Sequence, residues 1–551
     1  MFVLAVFIGI YSYAIFALGL LGLLTKLPVI ILTILWAIAI CLYEKKHIKV
    51  FFKKTYIFKK YPKQFYKNLF FWFAVLFFLQ TLVNLIGALG PELGFDALWY
   101  HLTFPKLWLL QHRIEYIPGG LLYYSVMPKL GETLYVGALA FGNEITAKVI
   151  QFTFSLLVSF ALYKFSRKFF TPFISILIVV IFYSNLVVDW ESITAYIDLI
   201  RTFFELLALW GFINWFENKS MKWLILSALM MGLAITTKVL AAESLLVFSL
   251  LIVVSSFFNK SNKKDMLKNL FSSLVIYWFI ALLIPLPWFI FSFIHTGNPV
   301  YPFFSQLYKI TPTPFSFVSF FSTYWDLFMR SSDPISPLYM LLLPLLFVTF
   351  STFKRELKLI VWYCALSLFL WYFTPQTGGG RFILPYLPAF SMVCGSIYYA
   401  ILKERDVQWI YVRRLVLSTI ILVAGSSIGY RFIANSKYIP VLIGRESSSQ
   451  FLTTHLNFSY GDFFDTDGYF ENHIKSTDTV LLYGFHNLYY VDFPFVDNSW
   501  VKKGYKFNYI AIQKSVIPAK YKNWQLIYFN DKTMVQLYKP PKGGCLSSCY
   551  Y

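Results

Sequence analysis

Thirteen apolar runs recur along the chain, most of them close to the roughly 20 residues that cross a bilayer as a helix. They lie at 2–24, 28–43, 68–89, 144–163, 171–188, 193–215, 223–237, 239–258, 270–294, 337–353, 359–374, 383–402 and 415–433. The two that flank Lys238 are short. The first run has no basic segment before it and a second run directly after it, so residues 1–43 read as a retained helical hairpin and not as a cleaved leader. Beyond about residue 434 the pattern changes. Short β-rich segments (TVLLYGF, NLYYVDF, NYIAIQ, WQLIYF and TMVQLY) alternate there with Asp, Asn, Gly and Lys turns. The expected fold class is a polytopic α-helical membrane protein of about 13 transmembrane helices with a small C-terminal extracytoplasmic α/β domain.

Composition agrees with that reading. The hydrophobic set makes up 58% of the 551 residues, aromatics 21%, and charged residues only 14%, against about 25% charged in an average soluble protein. No aqueous globule hides so much apolar surface, and disordered, collagen-like and coiled-coil classes fall with it. The net charge of +21 would suggest nucleic acid in a soluble protein, so its location decides its meaning. Residues 44–67 hold nine Lys, and further Lys and Arg cluster at 164–168, 219–222, 260–268, 354–358 and 403–414. These six loops carry a net +19 and are separated by even numbers of runs, so one topology makes all of them cytoplasmic. The basic balance is thus an orientation signal, and no nucleic-acid partner is expected.

That topology divides the chain into an N-terminal hairpin (1–43), a basic cytoplasmic loop (44–67), a transmembrane body (68–433) and an exported domain (434–551). Outer loops at 90–143 and 295–336 and a turn at 375–382 share the outer side with the last domain. The expected location is the cytoplasmic membrane, multi-pass, with the N-terminus inside. The runs show no internal repeat, which argues against an inverted-repeat transporter. Cys41, Cys364 and Cys394 lie in or beside runs as small apolar fillers. Cys545 and Cys549 fall on the outer side, where either a disulfide or a free pair is open.

Four features carry candidate chemistry, all at the outer face. Asp96, in GFDALWYH, follows the third run. If a short helix begins there, Trp99, Tyr100 and His101 fall within a turn or so. A partly desolvated carboxylate in that place can take a proton from a hydroxyl, and the rings can stack on a sugar. The plainer alternative is an N-cap Asp within an interfacial aromatic belt. Asp198, Arg201 and Glu205 share one face of the sixth run, as a site element or as a salt-bridged lock. Lys238 stands alone between two short runs, where it either snorkels or meets a phosphate at that depth. Gly378, Gly379 and Gly380 lead into Arg381, an anion nest with a guanidinium fork or else a flexible turn. Lys129 and Glu132 come late in the first outer loop, and His295 follows the ninth run. Glu132 with His295 is too thin a pair for a metal claim, so no metal ligands are assigned, no cofactor is certain, and a divalent metal stays open.

In order and sidedness these residues resemble the GT-C superfamily of integral-membrane glycosyltransferases, of the protein-mannosyltransferase and lipid A aminoarabinose-transferase type. The resemblance covers most of residues 68–402 and rests on FDALWYH (Asp96), AYIDL (Asp198), GLAITTK (Lys238), GNPVYPF and RFILPYLP (Arg381). It implies a polyprenyl-phosphate-sugar donor, a hydroxyl acceptor on a glycan, lipid or protein, and inversion at the anomeric carbon. It makes Asp96 the base or acceptor-orienting carboxylate and Asp198 its support. Lys238 and Arg381 would hold the donor phosphate, and Trp99, Tyr100, His101, Glu132 and Arg201 would contact substrate. Many relatives carry an adjacent Asp-Glu pair in the first loop, whereas here Ala97 follows Asp96 and Glu92 lies four residues before it. The alternatives are an O-antigen ligase or polymerase type of enzyme, and a transporter or flippase of lipid-linked glycans.

Overall fold

Inside hydrocarbon a backbone can hydrogen-bond only to itself, so each apolar run closes into a helix. The computed structural model of the chain describes residues 1–55, 69–258, 263–308, 315–329, 334–374, 379–541 and 551. In chain order its helices begin with α1 (Phe2–Leu20), α2 (Lys26–Thr55), α3 (Leu69–Ala88), α4 (Thr103–Gln111) and α5 (Leu130–Phe141). Next come α6 (Glu144–Ser166), α7 (Pro172–Tyr183), α8 (Leu186–Glu191), α9 (Asp198–Asn218) and α10 (Met221–Thr237). They continue with α11 (Ala242–Phe257), α12 (Lys263–Leu283), α13 (Leu286–Thr296), α14 (Phe317–Met329) and α15 (Pro337–Leu342). The bundle closes with α16 (Leu346–Thr349), α17 (Arg355–Trp371), α18 (Leu387–Lys403) and α19 (Val407–Asn435). Among the described residues, nine helices are long and apolar enough to cross a membrane.

Three expected runs are interrupted, each for a local reason. The run at 270–294 breaks between Leu283 and Leu286, where Pro285 has no N–H to donate and its ring clashes with the preceding turn. The run at 337–353 becomes a series of short turns around Pro344. The run at 171–188 divides into α7 and α8 at Asn185. There the Asn185 Nδ2 group donates to the carbonyls of Ile181 (3.0 Å) and Phe182 (2.8 Å) and satisfies the end of α7. The segment at 90–143 is also less of a loop than its position between two long helices suggests. It contains α4 and the almost wholly buried α5.

α9 and α18 lie at the centre, buried along nearly their whole length, while α2 and α12 turn apolar side chains such as Leu35 and Phe279 outward. α10 and α12 approach so closely that a Cβ on Gly232 would lie 2.8 Å from the Ala281 carbonyl oxygen. Small residues at such crossings let backbones pack where lipid supplies no hydrophobic drive.

The C-terminal region is a five-stranded mixed sheet: β1 (Val480–Tyr483), β2 (Phe495–Asp497), β3 (Tyr509–Gln513), β4 (Gln525–Asn530) and β5 (Val535–Lys539). Its order is β2-β1-β3-β5-β4, with β1 parallel to β2 and β3 and the β3-β5-β4 pairs antiparallel. Alternate residues serve two cores. Val480, Leu482 and Ala511 join the main apolar cluster, while Leu481, Ile510 and Ile512 form a second one with Trp524. Four of the five β-rich segments form strands. NLYYVDF does not, because its backbone is engaged by the membrane body. The Tyr489 N–H donates to the Leu98 carbonyl at 3.2 Å. Lys106 Nζ reaches the carbonyls of Tyr489 (2.6 Å) and Val491 (2.9 Å).

At the end of β2, burial raises the Asp497 carboxyl to about 6. Its folded value lies above its unfolded one, so its stabilising contribution is complete below about pH 4 and is lost as pH rises through about 6. Asp497→Asn keeps the acceptor for the Ser499 N–H (2.8 Å) and should stabilise the full chain at pH 8 by up to about 3 kcal/mol, with no gain near pH 4. Thermal unfolding in detergent at the two pH values measures this, and an equal effect at both would contradict it.

Candidate active site

Asp96 is placed by a clip that begins four residues earlier. The Glu92 carboxylate accepts the backbone N–H groups of Leu93 (2.8 Å) and Gly94 (2.6 Å), and that of Ala195 (2.6 Å) from the segment before α9. One side chain thus ties the Asp96 turn to the Asp198 turn. A Cβ at Gly94 would stand 2.9 Å from the Tyr196 ring and 3.0 Å from the Glu92 carboxylate, so the clip needs glycine there. Asp96 then heads a single π-helical turn, Ala97–His101, closed by a bond from the Leu102 N–H to the Ala97 carbonyl (2.9 Å). Such wide turns are rare and often mark functional places. Here the turn carries the Tyr100 hydroxyl back to Asp96 Oδ2 at 3.1 Å. The same oxygen receives Arg381 Nη1 at 2.7 Å, and the Arg381 guanidinium lies over the Tyr196 ring.

Beside this pair stands a second one. Asp198 opens α9, and its Oδ1 accepts Lys238 Nζ at 2.7 Å. Lys238 occupies the extended break between α10 and α11. A third cluster joins π-turn and α5. Glu132 Oε1 accepts His101 Nδ1 at 2.9 Å and Lys129 Nζ at 3.3 Å. Burial would raise the Glu132 carboxyl, but Lys129 and His101 together outweigh it and hold it below its ordinary value. Burial keeps the His101 imidazole below its ordinary value as well, hence neutral near pH 7. One cavity of about 330 Å³ is lined by residues of all three clusters, together with Trp99, Tyr124 and Phe382; the second cluster contributes Lys238, and Asp198 meets the cavity only through it.

Several groups in this wall or bonded to it keep an unused bonding position. Asp198 Oδ2, Arg381 Nε, Glu132 Oε2 and His101 Nε2 are buried and take no hydrogen bond among the described residues. Unpaired buried polar atoms cost roughly 1–3 kcal/mol each, and a ligand that completes them recovers that cost. The cavity therefore offers a guanidinium fork and an ammonium for an anion, acceptors for hydroxyl hydrogens, and a carboxylate for a proton.

Arg201 is not in that wall. It is fully buried, with Nε on Glu205 Oε1 at 2.5 Å and Nη2 on the Tyr386 hydroxyl at 3.5 Å. Glu205 Oε2 in turn accepts from Ser244 at 2.6 Å. In place of the substrate contact expected of it, Arg201 braces α9 against α11 and the turn Leu384–Tyr386 that follows Arg381. Arg201→Met leaves Glu205 charged and buried, and should destabilise the protein by about 3–5 kcal/mol. Arg201→Met with Glu205→Leu should recover most of that loss in thermal unfolding.

His101, not His295, is the imidazole at Glu132. His295 Nδ1 meets the Phe291 carbonyl of its own helix at 2.8 Å. Among the described residues no group of three or more His, Cys, Asp or Glu side chains could hold a metal ion. Glu132 already serves Lys129 and His101, so the donor set does not fit a metal. Gly379 has left-handed backbone (φ +51°) and precedes Arg381. Gly378, Cys545, Cys549 and residues 56–67 of the basic segment lie outside the described residues. Cys364 and Cys394 are buried and Cys41 is exposed, all three free.

Some members of the site had little or no sequence signal. Glu92 was visible only as a carboxylate near Asp96, and Tyr196 only as an aromatic before α9. The C-terminal segment had none. Its Tyr490 hydroxyl donates to the Glu92 carbonyl at 3.0 Å, and its His486 ring stacks on Phe95 and packs against Trp99. The C-terminal domain is thus docked on the turn that carries Asp96.

The family described as dolichyl-phosphate-mannose-protein mannosyltransferase matches residues 135–291, a stretch that contains Asp198 and Lys238 but neither Asp96 nor Arg381. No curated protein matches the chain by sequence. Among solved structures, ArnT from Cupriavidus metallidurans bound to undecaprenyl phosphate aligns over 87% of this chain and 98% of its own, with 12% identity and a TM-score of 0.58. The same ArnT in its apo state aligns over 85% and 97%, with 11% identity and a TM-score of 0.54. At such identities the likeness is one of fold.

Proposed function

From a chain with the GT-C fold of integral-membrane glycosyltransferases, we propose an enzyme that moves a sugar from a polyprenyl-phosphate donor to a hydroxyl acceptor, with inversion, on the extracytoplasmic side of the cell membrane. The observation that carries this reading is the Asp96–Arg381 pair, 2.7 Å apart in the wall of one cavity with Asp198–Lys238 beside it. A base and a phosphate-binding cation are adjacent there. The ArnT structure of the same fold holds undecaprenyl phosphate, which supports a lipid phosphate as the anion.

The geometry supports one sequence of events. Arg381 keeps Nη1 on Asp96 and turns its unused Nε toward a phosphate oxygen, while Lys238 supplies a second positive charge. The acceptor oxygen attacks the anomeric carbon opposite the phosphate, and Asp96 takes its proton. The anomeric C–O bond breaks with its electron pair going to the polyprenyl phosphate, whose charge Arg381 and Lys238 stabilise. Asp198 orients Lys238. The clustering of Lys and Arg in loops that share one side supports the sidedness.

Purified protein in detergent, supplied with a radiolabelled polyprenyl-phosphate sugar, tests the chemistry by transfer to an acceptor or by release of free sugar. No turnover from any such donor overturns the reading. Cysteine labelling from outside intact cells tests the sidedness: position 96 should react, and reaction within 44–67 would reverse it.

A further inference from the structure

We propose that Glu132 Oε2 and His101 Nε2, two unpaired acceptors in the wall of the same cavity, form the subsite that reads the donor sugar, and that this sugar is a neutral polyhydroxylated ring and not an amino sugar. The inference rests on the lipid-phosphate reading above and specifies its substrate class.

Glu132 and His101 are each about 1% exposed and both line the cavity. Their mutual bond uses Glu132 Oε1 and His101 Nδ1. Glu132 is ionised and has no hydrogen to give, so the hydrogen in that bond sits on Nδ1. With the imidazole neutral, Nε2 is then a bare lone pair. Oε2 of Glu132 is bare as well. Beside these two acceptors the Lys129 ammonium gives one of its three hydrogens to Glu132 Oε1. A ligand suited to this wall donates to the two acceptors without bringing a further positive charge, which is what the hydroxyls of a sugar ring do.

An ammonium also donates, but this place is poorly made for one. The charge of Glu132 is already matched by Lys129, whose Nζ sits 3.3 Å from Oε1, is itself buried and lines the cavity. A sugar ammonium on Oε2 would share one carboxylate with a second buried cation, at a separation where like charges repel strongly. Protonating His101 would only add a third positive charge. Neutral hydroxyls bring no such conflict. A site that hydrogen-bonds specific hydroxyls also rejects analogues that lack them, because its own buried acceptors are then stranded.

The test uses the full-length protein in detergent and reads donor affinity from ligand-induced thermal stabilisation, which needs no acceptor. The probes are undecaprenyl phosphate alone, undecaprenyl-phosphate-linked neutral hexoses with their monodeoxy analogues, and an undecaprenyl-phosphate-linked 4-amino-4-deoxypentose. A neutral-sugar donor should bind at least about ten-fold more tightly than the amino-sugar donor. At least one monodeoxy analogue should lose about ten-fold on the wild type. Glu132→Gln should lose a similar factor for the neutral-sugar donor, with its affinity for bare undecaprenyl phosphate unchanged, which also reports that the variant is folded. Equal or tighter binding of the amino-sugar donor overturns the proposal, as does indifference of the wild type to every deoxy analogue. Should neither bare undecaprenyl phosphate nor any sugar donor bind, the lipid-phosphate reading fails first and this one with it. That outcome is distinct from a reversed sugar preference.

Discussion

Asp96→Asn should slow sugar transfer by about 10²–10⁴-fold, the usual contribution of a positioned general base, while the protein folds and binds donor. Asparagine has nearly the same shape and keeps an oxygen for the Tyr100 hydroxyl, now 3.1 Å away, but it cannot take a proton from the acceptor. The effect on donor affinity has the opposite sign. In the wild type, Arg381 spends Nη1 on the Asp96 carboxylate at 2.7 Å. Without that negative charge the guanidinium is freer to meet a phosphate, so donor KM should stay level or fall. Initial rates against donor concentration separate the two quantities. Transfer at the wild-type rate would remove Asp96 from the chemistry, and a raised KM at unchanged kcat would make it a binding residue instead.

Arg381→Ala should lower kcat/KM for the donor by about 10²–10³-fold, on the scale of one or two charge-assisted hydrogen bonds lost to a phosphate at about 1.5–3 kcal/mol each. The leaving phosphate loses its main source of stabilisation, and Asp96 loses its partner. Arg381→Lys separates charge from geometry. A lysine restores a positive charge beside Asp96 and Asp198 but not a planar fork able to hold Asp96 and a phosphate oxygen together. It should recover only part of the loss. Full recovery by lysine would reduce Arg381 to a point charge, and an unaffected alanine variant would leave Lys238 as the sole phosphate contact.

Much of the architecture is legible along the chain because it depends on local pattern. The apolar runs mark the helices, and the breaks at Pro285 and Asn185 are local steric and hydrogen-bonding events within them. The strands of the last domain show as short apolar runs between turn residues, as in Val480–Tyr483 and Tyr509–Gln513. NLYYVDF is the instructive exception. Its composition is that of a strand, yet Lys106 and the Leu98 carbonyl, nearly 400 residues away, take up its backbone. Arg201 is a similar case. Its helical spacing from Asp198 reads correctly, but spacing along one helix cannot tell which end of the stripe meets a cavity and which meets Tyr386.

The sequence by itself determined that the chain is a many-helix membrane protein with a small sheet domain, and it singled out Asp96, Asp198, Lys238 and Arg381 as candidate site charges. Partnership was left to the tertiary structure. Asp96 finds Arg381 across 285 residues, Asp198 finds Lys238 across 40, and Glu92 is held by Tyr490 across 398. The reason is physical. Helices that are apolar on nearly every face carry little record of which neighbour each face meets. The pairing of their few charges is therefore set by how the bundle packs, and only there do three carboxylates and three cations become one site.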